Sequence, residues 1–494
     1  MKVRLFDSLT REVRDFEPQE SGLVRMYACG PTVYGPAHIG NFRANVCWDV
    51  VRRVLELGGY RVRKVMNITD VGHLTRDDTA DGGEDKMEVT ARTEGVEPLA
   101  IAQRYIDRFH RDRKALRIKD AEAYPRATEH VAGMIALIEK LVERGHAYAV
   151  NGSVYFEVST FPAYGRLSGN TVDSLVAGAR IEPHPDKRHP ADFALWKSDP
   201  KHIQQWDSPW GRGFPGWHIE CSVMGPAVLG VVTLDLHTGG EDHLFPHHEC
   251  EIAQSEGATG LPTSRYWLHN RFMNVEGRKM SKSLGNFWTL DDLVARGHDP
   301  VAVRYLLLST QYRQPMNFTE EGVHAAAKSV ERIRTCARNL VQDRDAPELS
   351  AEESARLDGF GSAFRESLFD DFNTSGALGQ VFDAVRFVNA RAAWEAHGAS
   401  RVRRLFEEFD SVLDVLRPSS AISTPDSIRS TSEVFEPAGV EGRPGDDRIE
   451  ALIAEREAAR GAKDFARSDA IRKQLLEMGV VLEDTPRGPR WTRK

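Results

Sequence analysis

Residues 245–251 read "FPHHECE", which places two histidines, two glutamates and a cysteine within seven positions. Imidazole, thiolate and carboxylate are the side chains that hold borderline-soft ions such as Zn2+. If Phe245 leads into a helix, His247 and Glu251 stand at i and i+4 and share a face, while His248 and Cys250 point elsewhere. Two ligands do not complete a tetrahedron, so the others must come from distant segments. Cys29 in "YACGPT" and Cys221 in "GWHIECS" lie near the expected ends of core elements. Cys29, Cys221, His247 and Glu251 would form an S2NO set suited to Zn2+. The plain alternative for either cysteine alone is a small, buried hydrophobe.

Two further strings suit phosphate chemistry. In "GPAHIGNFRA" a Pro/Gly turn runs into a helix starting near Asn41, and a helix N-terminus offers free N–H groups to a phosphate. His38 can donate a hydrogen bond to a phosphoryl oxygen, and Gly40 leaves its backbone open to a flat adenine. In "GRKMSKSLGN" the ammonium groups of Lys279 and Lys282 flank small hydroxyl residues in a Gly-bounded loop. Such cations neutralise charge that builds on a departing pyrophosphate. The competing readings are a structural turn with a surface histidine, and a solvated basic loop.

The elements that must position these residues alternate. "LVRMYACGPTVY" reads as a buried strand, "NFRANVCWDVVRRVLELGGY" as a helix with Phe42, Val46, Val50 and Val54 on one face, and "RVRKVMNITDV" as a second strand. Strand, helix, strand builds a parallel sheet. The pattern resumes after about residue 210 with "VVTLDLHTGG" as a strand, "HHECEIAQSEGATG" as a helix and "RYWLHNRFMNVEG" as a strand. The acidic stretch 75–88 is expected as a mobile loop. From about residue 320 the periodicity is helical, and 418–447 has the composition of a linker.

The chain has 494 residues, 41% hydrophobic and 28% charged, which suits a soluble protein of about three domains. Its start shows neither a signal peptide nor a membrane anchor. Five scattered cysteines argue for a reducing cytoplasm over a disulfide framework. A net charge of −8 means that a nucleic acid would need a local basic surface.

"HIGN" followed far downstream by "KMSKS" resembles the signature pair of class I aminoacyl-tRNA synthetases, with Asn41 where the usual motif has a second histidine. Together with "YACGPTVYGPAHIGN", "GWHIECS", "NITDVGH", "DDFNTSGAL" and "KDFARSDAIRKQLLEMGVVLEDTPRGPRW", the strings resemble the cysteinyl-tRNA synthetase family over nearly the whole chain. The resemblance implies an α/β class I fold. A Rossmann-like catalytic domain (1–120 and 211–285) is split by an insertion (121–210). A stem-contact segment (286–320), a helical bundle (321–417), the linker and an anticodon-binding module (448–494) follow.

It also implies that Cys29, Cys221, His247 and Glu251 hold one zinc ion that reads the substrate thiolate, with Cys250 a bystander. His38, Lys279 and Lys282 would be catalytic, and His38, Gly40, Asn41 and Lys282 would bind ATP with Mg2+. Thr32, Trp217, Gly240 and Asp242 would bind L-cysteine, and Arg490 and Trp491 would contact tRNA(Cys). The expected protein is a cytoplasmic monomer without membrane contact. Two rivals stay open: a cysteine ligase of the mycothiol-pathway type, and a non-catalytic, zinc-stabilised RNA-binding protein.

Overall fold

The structure is a computed structural model that describes residues 2–71, 74–76, 82–170, 185–280, 286–418, 452–453, 455–456, 459, 464–477, 480–485 and 488–493. The chain divides into two compact units, 1–422 and 423–494. The expected linker, from residue 419 on, lies outside the described residues.

Four parallel strands form the centre of the first unit: β1 (Leu23–Ala28), β2 (Arg61–Met66), β3 (Leu234–Gly240) and β4 (Ser264–Asn270), in the order β4-β3-β1-β2. Strand β1 pairs with β2 on one side (Met26 with Lys64) and with β3 on the other (Met26 with Leu236). The chain thus leaves β1 outward in one direction and returns in the other. That makes the β1–β3 junction the point where strand order reverses, the usual place for a ligand crevice in such sheets. Helix α1 (Ile39–Leu57) connects β1 to β2 and buries Phe42, Val46, Val50 and Val54, the four residues whose spacing marks its apolar face.

The insertion packs into a core that it shares with two helices of the catalytic part. Helix Val131–Glu143 lies with an antiparallel sheet of Ala147–Val150, Ser153–Phe156, Phe193–Lys197 and Phe214–Pro215. Its buried Met134, Phe156 and Trp196 share a cluster with Ile219 and Met224 of α2 (Ile219–Leu229) and Cys250 and Ala253 of α3 (Glu249–Thr259). The stretch 75–88 is only partly the loop expected of it. Leu74–Arg76 pairs antiparallel with Gly82–Asp85, and Asp85 then caps a helix from Lys86 to Glu94 through the N–H groups of Met87 and Glu88. An Asp at N-cap overrides the acidic, loop-like composition. Residues 77–81 lie outside the described residues.

After β4 come β5 (Met273–Val275), β6 (Arg278–Lys279) and β7 (Met316–Phe318), with β5 in the middle. Helix α4 (Pro300–Ser309) precedes β7, and α5 (Glu320–Arg338), α6 (Ala351–Phe369), α7 (Thr374–Asn389) and α8 (Ala396–Leu413) follow. A fully buried ion cluster ties α1 to this helical region. Asp49 meets Arg53 Nε and Arg304 Nη2, each at 2.8 Å, and accepts from Lys119 N at 2.8 Å. Burial raises the Asp49 carboxyl, but Arg304 and Arg53 outweigh it and hold its pKa at about 2. The stability so gained is present above the ordinary value of 3.8 and is lost as the pH falls toward 2. Asp49→Asn leaves two buried guanidinium groups short of a counter-charge and should cost about 3 kcal/mol in urea unfolding at neutral pH. A loss below about 1 kcal/mol would show that water or backbone carbonyls replace the carboxylate.

In the second unit, helix Phe465–Glu477 precedes a hairpin of Val480–Thr485 and Gly488–Arg493. Trp491 stands opposite Leu482 and Arg490 opposite Glu483 in its register. No helix among the described residues is long and apolar enough to cross a membrane.

Candidate active site and metal centre

The crevice at the β1–β3 junction is a cavity of about 290 Å3. Its walls are the loop that leaves β1 (Cys29 to His38), the start of α1, and residues 239–243 at the end of β3, with Trp217 and Phe287 closing the sides. The Cys29 loop is held firmly. Cys29 N donates to Thr238 O at 3.0 Å and Gly30 N to Asn67 Oδ1 at 2.7 Å. Asn67 Nδ2 reaches Thr69 Oγ1 at 3.2 Å, and Thr69 in turn donates to Glu220 Oε2 at 2.6 Å. The string "NITDVGH" thus links the loop that carries Cys29 to the residue preceding Cys221.

Cys29, Cys221, His247 and Glu251 each offer a ligand atom within 4.8 Å of the others, and so do Cys29, His237, His248 and Glu251. The second set is a correction: His248 was expected to point away, yet its Nε2 lies 3.1 Å from Cys29 Sγ. The helix starts only at Glu249, and the wider turn of 244–248, with Phe245 in an extended conformation, swings His248 inward. Cys250 behaves as a bystander, fully buried with its Sγ 3.5 Å from Tyr164 Oη.

Glu251 distinguishes the two sets. Its Oε2 is engaged by His237 Nε2 at 2.8 Å, whereas Oε1 accepts no hydrogen bond and lies 3.1 Å from His247 Nε2. The ring of His247 is 4.6 Å from that of Trp217, on the crevice side, while His237 stacks on Trp267 at 4.3 Å. The first set therefore fits an ion at the crevice, with His237 orienting the carboxylate from behind, an arrangement common around zinc. Burial, then the neighbouring Cys221 and Glu251, push the Cys29 thiol well above its ordinary pKa. The Cys221 thiol is also raised: its hydrogen bond with Cys29 lowers it, but burial and Glu251 prevail. Two thiols and a carboxylate enclosed together repel as anions, and a divalent cation removes that repulsion. Burial, then the His237 and His269 rings, keep His248 neutral, and its Nδ1 pairs with His269 Nε2 at 2.7 Å.

At the other end, His38 is the N-cap of α1. Its Nδ1 accepts from Asn41 N at 3.2 Å, and its own N–H donates to Asn41 Oδ1 at 3.0 Å. A neutral ring whose Nδ1 accepts carries its proton on Nε2 and is a donor there. The expectation of free N–H groups at this terminus needs correcting, because Ile39 N already donates to Trp288 O and Asn41 N to His38.

Gly40 is not on the crevice wall; a Cβ there would come within 2.9 Å of Met280 Cε. That contact, with the His38–Thr289 bridge and Phe287 5.0 Å from the His38 ring, brings the two signature strings together. Lys279 is exposed on β6. Lys282, within 281–285, lies outside the described residues. Thr32, Trp217, Gly240 and Asp242 all line the crevice. Gly40 and Gly240 differ in what they admit: a Cβ on Gly240 would stand 2.2 Å from Asp242 Oδ1, so the carboxylate folds back over bare backbone.

The family described as tRNA synthetases class I (C) catalytic domain matches residues 15–328, a DALR domain matches 363–417, and a cysteinyl-tRNA ligase anticodon binding domain matches 445–491. Curated proteins of the same name, Cysteine–tRNA ligase, align end to end. The one from Chlorobaculum tepidum is 42% identical over 100% of this chain and 99% of its own. That from Salinibacter ruber is 43% identical over 99% and 98%. The chain belongs to the cysteine–tRNA ligase family of class I synthetases.

Among solved structures, the Mycobacterium tuberculosis methionyl-tRNA synthetase in complex with methionyl-adenylate superposes with a TM-score of 0.54. It is 16% identical over 80% of this chain and 90% of that one, a likeness of fold. Several residues around the donor set carry no signal in the family's signature strings. His237, His243 and His269 lie outside those strings and gather around the donor set with His248 of "FPHHECE". Only "LDLHTGG", a strand ending in a histidine and two glycines, could have pointed to one of them.

Proposed function

We propose that this chain activates L-cysteine with ATP to cysteinyl-adenylate and transfers the cysteinyl group to tRNA(Cys), working as a monomer in the cytoplasm. One observation carries the reading: a donor set of two thiols, an imidazole and a carboxylate stands at one end of a crevice whose other end is the junction of the HIGN and KMSKS strings. Zinc held by Cys29, Cys221, His247 and Glu251 would supply a soft Lewis acid that prefers a thiolate to a hydroxyl, a distinction hydrophobic contacts make poorly.

The protein's own groups do the rest. Trp217 walls the thiol end, and Thr32, Gly240 and the Asp242 carboxylate receive the amino-acid backbone, the carboxylate facing the ammonium group. His38 donates from Nε2 to a phosphoryl oxygen, and Asn41 fixes the His38 ring. Lys279 and Lys282, with Mg2+, stabilise the departing pyrophosphate. Arg490 and Trp491 contact tRNA, the cation tracking phosphate and the aromatic ring stacking a base. None of the five cysteines is joined in a disulfide, in keeping with a reducing compartment.

Charging of tRNA(Cys) by the purified protein tests the whole reading. Cysteine-dependent pyrophosphate exchange without charging would favour the amino-sugar ligase of the mycothiol type, and absence of both would favour a non-catalytic RNA-binding protein. A chain shortened at Gly445 should keep exchange within about twofold and lose charging by about tenfold or more, because phosphate and base contacts add affinity without touching adenylation. Equal charging by the short and full chains would remove Arg490 and Trp491 from tRNA recognition.

A further inference from the structure

The string "DDFNTSGAL" is not used by the crevice, yet it contains a carboxylate, Asp371, that takes four side-chain hydrogen bonds. Asp371 and Phe372, between α6 and α7, both have left-handed backbones (φ 56° and 53°), rare for residues with side chains. Asp371 is buried. Its Oδ1 accepts from Phe6 N at 2.8 Å and from Tyr312 Oη at 2.7 Å. Its Oδ2 accepts from Arg313 Nε at 2.6 Å and Gln311 Nε2 at 3.2 Å, and its carbonyl takes a second bond from Gln311 at 3.1 Å. Asp371 N donates to Arg4 O at 3.0 Å, and the Arg313 guanidinium lies over the Phe6 ring at 4.4 Å. Backbone strain held in place by so many partners points to a function for the geometry.

Three of the four residues gripped by this carboxylate, Gln311, Tyr312 and Arg313, begin the segment from which the Lys279 hairpin hangs. Tyr312 O accepts from Arg271 N at 2.9 Å. Strand β7 then pairs in parallel with β5 (Met273 with Met316, Val275 with Phe318). Glu276 N donates to Phe318 O at 3.0 Å, and Gly277 N to Asn317 Oδ1 at 2.8 Å. The hairpin β5–β6 therefore has its outer support in residues 311–318. Arg271 and Phe272, just before β5, hold Glu241 at the crevice edge by bonds of 3.0 and 2.6 Å.

We propose that Asp371 is a positioning residue for adenylation: a carboxylate from the helical region sets the register of 311–318 and, through it, the place of the Lys279 loop against the crevice. The inference rests on the proposed role of that loop. It makes the helical region part of the adenylation machinery, in addition to whatever it does for tRNA.

The test is a pair of variants in the full-length, metal-loaded protein. Asp371→Asn keeps the shape but turns an acceptor of Arg313 into a donor, and Tyr312→Phe removes a single bond should the first variant fold poorly. Cysteine-dependent pyrophosphate exchange is expected to lose about 10- to 100-fold in kcat through misplacement of the loop, with KM for cysteine unchanged. Combined with Lys279→Ala, Asp371→Asn should add almost nothing, because both act through one loop. Full additivity, or a change confined to KM for cysteine, would overturn the proposal and leave Asp371 a structural anchor. A wild-type protein without exchange would instead bring down the synthetase reading and this inference with it, an outcome plainly different from an active wild type matched by its Asn variant.

Discussion

Cys221→Ser is expected to weaken zinc binding by more than about 100-fold and to raise KM for cysteine in step. A serine hydroxyl is harder and far less acidic than a thiol, so it cannot replace a thiolate in an S2NO set, and even partners outside the first ring of ligands carry about 10- to 100-fold in metal affinity. Cys221 also shares a hydrogen bond with Cys29, so its loss disturbs the neighbouring ligand. Zinc content after dialysis against a chelator, read beside cysteine-dependent exchange, separates metal loss from a folding defect. Cys250→Ser is the control: it is equally buried but faces Tyr164 and the insertion core, and it should retain both metal and affinity. Equal zinc loss in the two variants would refute the assignment.

The second large effect is expected at His38. His38→Asn should lower the adenylation rate by about 10²- to 10³-fold, the usual cost of removing one donor aimed at developing charge. Asparagine is among the best N-cap residues, so it can accept from Asn41 N as His38 Nδ1 does, and α1 should stay intact. What it removes is the reach of the ring and the Nε2 proton. Thermal melting should therefore match the wild type while kcat for exchange falls and KM for cysteine holds. If melting temperature and rate drop together, capping and not catalysis is the work of this residue.

Much of this was legible in the sequence because period and punctuation agree with tertiary structure. The spacing of Phe42, Val46, Val50 and Val54 gives α1, and β-branched runs flanked by Gly give the sheet strands. The i, i+4 relation of His247 and Glu251 is a local property that the shift in the helix start does not disturb. What the sequence did not show depends on long-range contact or on caps. Nothing near His248 tells that a wide turn will aim it at Cys29. No spacing rule joins His237 to the Glu251 oxygen that it engages. The pairing in 74–85 lies in a stretch whose charge reads as solvent-exposed loop, and Asp371 gains its four side-chain hydrogen bonds from partners far away along the chain.

The order of strands has a consequence for how the protein is made. Strand β1, with Cys29 directly after it, finds one neighbour in β2 soon after synthesis begins, but its other neighbour, β3, follows only after the whole insertion. The insertion's core is completed by α2 and by α3, which follows β3, so it too stays open while the edge of β1 lacks its partner. Closing so long a loop is slow, and it must precede any meeting of Cys29 with Cys221, His247 and Glu251. A metal held by these four residues would therefore be taken up only after residue 251 has been made, and a nascent chain stalled before β3 exposes an unpaired strand edge and a lone thiol, a natural substrate for chaperones.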